Sequence, residues 1–275
     1  MVAIAVGGIA VLGVGTLVGL VVGKRLKTGS WSVPTGNDLI RIDRVEEGGP
    51  PRVIYLHRGP ITLTGGEDDA ALRLSSVVAK AGAHSHAPAA RQVTAPERER
   101  VVKLRGFRGT TKSWTMITRC VSRLYAPFDV RVTDVEPPPG TPYVMAVIGG
   151  RPKDVGHPHR VGGLAPFNGD VVPGAVVFAF ADELRNSTRA TCEVIAMEVA
   201  HAFGLDHVYA CPDVMTYLQG CGKKSFRDFE APCGESKPRP CHGGAATQNS
   251  YRRLVEVLGA RPAPVPAAAR SPASD

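Results

Sequence analysis

Met197-Glu198-Val199-Ala200-His201-Ala202-Phe203-Gly204-Leu205-Asp206-His207 is the stretch on which the reading of this chain turns. Residues four apart on an α-helix share a face, so positions 197 and 201 can approach one metal ion from the same side. Glu198 sits beside that face, where a carboxylate can take a proton from a water held by the ion. Gly204 tolerates positive φ, which lets the chain leave the helix and turn back. That reversal would bring His207 to the ion reached by His201. Imidazole, thiolate and carboxylate suit zinc, whereas the neutral thioether of Met197 is a poor ligand for it.

The elements around this run follow from hydrophobic periodicity and its breaks. Thr188 to Phe203 reads as a helix closed by Gly204. Upstream, Trp114, Ile117, Val121 and Leu124 recur at helical spacing, with a break at Pro127. Phe128 to Val135 alternates as a strand does and is ended by Pro137 to Pro139. Tyr143 to Ile148 and Ala175 to Phe180 are short apolar strands separated by a long glycine-rich loop, Gly149 to Gly174. Gln248 to Leu258 forms a closing amphipathic helix. These elements place an α+β domain over residues 101–259. Residues 24–100 read as a linker and prosegment-like region. Within it, residues 28–51 are polar, Arg52 to Thr64 suggests a strand pair, and Ala81 to Glu97 is an Ala/Pro/His-rich connector whose His84 and His86 read as solvated. Residues 260–275 form a Pro/Ala-rich tail expected to be disordered.

Downstream of His207 comes Asp213-Val214-Met215-Thr216-Tyr217. The two motifs together resemble the metzincin metallopeptidases, whose pattern is H-E-x-x-H-x-x-G-x-x-H followed by a Met-turn. The resemblance covers roughly residues 101–259. It implies a zincin fold with a twisted mixed sheet, a backing helix, an active-site helix and a C-terminal helix. It also implies zinc as cofactor, with His201 and His207 as the second and third ligands and Glu198 as the general base. Gly204 then serves the turn, Met215 the apolar floor under the ion, and Tyr217 an extra ligand or a donor to the transition state.

Met197 stands where the family's first ligand histidine belongs. Three outcomes are open. Tyr217, Asp206, His157 or His159 completes the site; a different metal binds; or the domain keeps its cleft without catalysis. The primary expectation is a zinc endopeptidase acting on a protein or peptide. The alternative is an inactive pseudoprotease that holds an extended peptide or envelope protein. A third reading takes residues 28–100 as an inhibitory prosegment, although none of the cysteines needed for a cysteine switch falls there.

Charge and composition bound the partners. The net charge is +8, and its densest basic run extends from Arg98 to Lys112. No stacking aromatics interleave it, so a solvated face is expected and nucleic acid is set aside. Six cysteines, none in a C-x-x-C pair, indicate disulfides in an oxidising compartment. They allow 15 pairings, of which proximity suggests Cys211 with Cys221 and Cys233 with Cys241.

Val2 to Gly23 carries no charged residue and ends at Lys24, Arg25 and Lys27. A helix of this length would span a bilayer's hydrocarbon layer, roughly 30 Å; a cleaved signal peptide is the rival reading, and with no basic residues before the segment a retained single-pass anchor is favoured. Gly15, Gly19 and Gly23 on one face would allow helix–helix dimerisation. The basic flank favours a cytoplasmic domain, whereas the cysteines favour export. The expectation adopted is a domain on the extracytoplasmic side.

Overall fold

The computed structural model describes residues 49–80 and 100–262. In chain order the elements are β1 (Val53–His57), β2 (Ile61–Gly65), β3 (Leu74–Ser75), α1 (Ser76–Lys80), β4 (Val101–Leu104), α2 (Thr111–Leu124), β5 (Arg131–Thr133), β6 (Val144–Ile148), β7 (Gly163–Leu164), β8 (Val176–Ala179), α3 (Thr188–Ala202) and α4 (Ser250–Leu258). This is an α+β fold with a mixed sheet. The apolar segment Val2 to Gly23, with Gly15, Gly19 and Gly23, lies outside the described residues. Among the described residues no helix is long and apolar enough to cross a membrane.

The main sheet has the order β5-β1-β6-β8-β7. Its first four strands are parallel and β7 alone runs antiparallel. β6 and β8 are buried along their whole length, as befits strands covered on both faces. Side chains alternate between two cores. Ile54, Leu56, Val144, Ala146, Ile148 and Val177 pack with the inner faces of α2, α3 and α4. Tyr55, Met145, Val147, Val176 and Phe178 pack against Leu63, Val102 and Leu104 of a second, three-stranded sheet, β3-β2-β4. Helices therefore cover one face and a small sheet covers the other.

Two expectations are corrected by this topology. β1 lies between β5 and β6, so the folded unit takes in residues well before Val101. β1 and β2 do not pair with each other; they belong to different sheets. Apolar alternation identifies strands but carries no information about their partners, and parallel pairing across intervening elements leaves no local mark. The Gly149–Gly174 loop contains a 3-10 turn at Pro152–Val155 and the edge strand β7. Residues 260 and 261, expected in the tail, belong to the folded unit: Ala260 bridges Phe128 and Arg261 donates to the carbonyls of Ala126 and Val130.

α2 backs α3, and a disulfide between Cys120 and Cys192 joins them. Closing a loop with a sequence separation of 72 contributes ~4 kcal/mol in the chain-entropy description. Buried Tyr125 donates its hydroxyl to Ala196 O at 2.9 Å, so the backing helix also fixes the height of α3. The other disulfides are Cys211–Cys221 and Cys233–Cys241. They close small rings in the irregular segment after α3.

Candidate metal centre

α3 starts at Ser187, whose hydroxyl accepts from Ala190 N. It ends in a Schellman turn. Gly204 N donates to His201 O and Leu205 N donates to Ala200 O, with Gly204 at φ +83°. A Cβ on Gly204 would lie 2.6 Å from Gly169 O. Gly204→Ala is therefore expected to destabilise the domain by about 3 kcal/mol, combining left-handed strain with a backbone collision. Denaturant unfolding measures it; a loss below about 1 kcal/mol would show that the turn relaxes freely.

The turn performs two placements. It puts the carbonyl of Leu205 2.7 Å from His201 Nδ1, and it swings His207 back over the end of α3. The Nε2 atoms of His201 and His207 then face each other at 2.9 Å. His207 Nδ1 lies 2.9 Å from Glu235 Oε1.

Those partners determine the protons. A carbonyl oxygen can only accept, so His201 carries its proton on Nδ1. Glu235 is held ionised, its carboxyl pulled down to about 2 chiefly by its hydrogen bond with Arg239, so His207 also carries its proton on Nδ1. With both rings in the Nδ1–H form, each would present an Nε2 lone pair to the other. Two acceptors cannot bond. A second proton on His201 is disfavoured, because burial and then the neighbouring His207 push its pKa down to about 4. A cation answering both lone pairs satisfies the geometry, and paired imidazoles oriented from behind are the donor set zinc takes.

Glu198 is 6% exposed. Burial pushes its carboxyl up to about 8. Its side chain lies along Gly163 of β7, where an added Cβ would sit 2.5 Å from Glu198 Cγ; only glycine leaves the space it occupies. Met215 is fully buried in a turn built by Asp213, whose Oδ1 accepts from Met215 N and whose Oδ2 accepts from Arg227 N. Val208 N donates to Met215 O, tying that turn to the residue after His207. The Tyr217 ring stands 4.3 Å from the His207 ring and is half-exposed. Burial, then the charges of Glu198 and Glu235, raise its hydroxyl to about 12, so it keeps its proton at neutral pH.

Of the residues weighed to complete the site, Asp206 is committed elsewhere. Its carboxylate accepts from His207 N, from His242 N and from both Arg239 Nη atoms. Although Asp206, His207 and Glu235 lie close enough to suggest a cation cluster, the Arg239 guanidinium already bridges both carboxylates. The His157 ring is turned to the backbone of His159, its Nδ1 3.1 Å from His159 O and 3.3 Å from His159 N. Met197 is 7% exposed and belongs to the helix-covered core. Sequence reasoning missed Glu235 and Arg239. The available signal was a carboxylate and an arginine four residues apart between Cys233 and Cys241.

No protein-family model matches the chain, and no curated protein sequence matches it.

Proposed function

We propose that this domain is a metzincin-like, zinc-dependent endopeptidase, tethered to a membrane by its N-terminal segment and facing the extracytoplasmic side. The observation that carries the reading is the approach of His201 Nε2 and His207 Nε2 to 2.9 Å, with the buried Glu198 on the same helix as His201.

His201 and His207 would hold the ion; the Tyr217 ring stands beside His207, and Met215 is buried in the turn tied to Val208. When bound, zinc supplies Lewis acidity toward a water and toward the scissile carbonyl. Glu198 accepts the proton of the attacking water on its carboxylate and returns it to the leaving amine nitrogen. Tyr217 donates its hydroxyl proton in a hydrogen bond to the oxygen on which negative charge develops. β7 is the last strand of its sheet, and among the described residues nothing pairs with its outer edge. An extended peptide added there as a further strand would pass in front of Glu198.

Met197 favours a second reading, an inactive cleft that binds an extended peptide without cutting it. Two imidazoles hold zinc more weakly than three. Elemental analysis of the full-length chain, with peptide-library assays before and after chelation, separates the two. Stoichiometric zinc and chelator-sensitive cleavage support the enzyme; zinc-free protein that retains peptide binding supports the pseudoprotease.

A further inference from the structure

Behind the histidine pair, the ring closed by Cys233–Cys241 directs two charged side chains toward His207. Glu235 Oε1 meets His207 Nδ1 at 2.9 Å. Arg239 Nη2 donates to the same Glu235 oxygen at 2.7 Å and to Asp206 Oδ1 at 2.9 Å, while Nη1 donates to Asp206 Oδ2 at 2.7 Å. The ring is itself anchored to the ligand segment. Gly234 N donates to His207 O, and Arg239 N closes the ring onto Cys233 O. His242 N, just beyond the ring, donates to Asp206 Oδ2.

We propose that Glu235 is the positioning residue of the metal centre. It holds the His207 ring in the Nδ1–H form, Arg239 holds Glu235, and the disulfide ring carries both. The inference rests on the metal reading above and extends it to residues outside the motif. A carboxylate behind a ligating imidazole fixes the tautomer, orients the ring and raises the basicity of the nitrogen facing the ion. Such support matters more in a site with only two imidazoles. The arrangement also explains two carboxylates beside a histidine: Arg239 bridges them and offsets part of their mutual repulsion.

The test uses the full-length chain with Glu235→Ala and Glu235→Gln. Zinc affinity is read by competition with a chromophoric chelator, and the His207 tautomer is read in metal-free protein from ring nitrogen shifts. Glu235→Ala is expected to weaken zinc binding about 10–100-fold and to convert His207 from the Nδ1–H form to a mixture. Glu235→Gln, which keeps the shape and loses the charge, is expected to weaken binding less. A purely structural residue would change stability without moving the tautomer. Parental zinc affinity in both variants would overturn the proposal. If Glu235→Ala fails to fold, Glu235→Gln decides by the same criterion. If the parent chain takes up no zinc, the metal reading fails by itself, and an unchanged His207 tautomer in Glu235→Ala then overturns the positioning role as well.

Discussion

Met197→His is expected to tighten zinc binding by about two orders of magnitude. Structural zinc sites bind with about 10–16 kcal/mol through four ligands, so each ligand is worth roughly 3 kcal/mol. Residue 197 lies one helical turn before His201, and methionine and histidine are similar in size, so the substitution adds an imidazole without overfilling the core. In the metal-free state the new ring is buried without an assigned partner, which costs about 1–3 kcal/mol. The variant should therefore melt below the parent in chelator and above it in zinc. That crossover distinguishes a gained ligand from a general change in packing. Zinc affinity equal to the parent's would mean that residue 197 does not face the ion.

Glu198→Gln is expected to abolish peptide hydrolysis while stabilising the metal-free protein. The amide cannot take a proton from water, and loss of a positioned base removes about 10²–10⁴ in rate by itself. The stability effect has a definite sign. Glu198 titrates near 4.5 when exposed and near 8 when folded, so between those values the unfolded chain releases a proton that the folded one retains. Stability then falls as pH rises through that window, with a penalty on the order of 3 kcal/mol at pH 7.

His201 acts in the opposite sense, because its folded value near 4 lies below the ordinary 6.5 and its penalty grows as pH falls through that interval. The Glu198 effect is therefore cleanest between about pH 6.5 and 8. Chelated parent protein should lose melting temperature across that range, and Glu198→Gln should not. Parallel pH profiles would show that the carboxyl is solvated. Such a trade between stability and activity is common where a catalytic group is buried against its preference.

The local geometry at the end of α3 was readable because it lies in one uninterrupted run. Helical spacing put Glu198 and His201 on adjacent faces, and the glycine at 204 marked the reversal that brings His207 round. The turn around Met215 was readable for the same reason. Glu235 was not, since it lies 28 positions from His207 in an irregular ring without periodicity, where only the disulfide decides what it touches. β7 was hidden for a different reason. Two residues, Gly163 and Leu164, are too few to show alternation, and they become a strand only because β8 offers its edge. β1 was seen as extended chain but assigned outside the domain. Its place between β5 and β6 depends on long-range parallel pairing, which local pattern does not encode.

The most direct measurement is anomalous scattering at the zinc edge from crystals of the full-length chain or its folded portion grown with zinc. One peak about 2.1 Å from both His201 Nε2 and His207 Nε2, with Glu198 nearby, is the expected result. No peak between the two rings, or a peak seated instead among Asp206, Glu235 and Arg239, would contradict a shared-ion centre and the peptidase built on it.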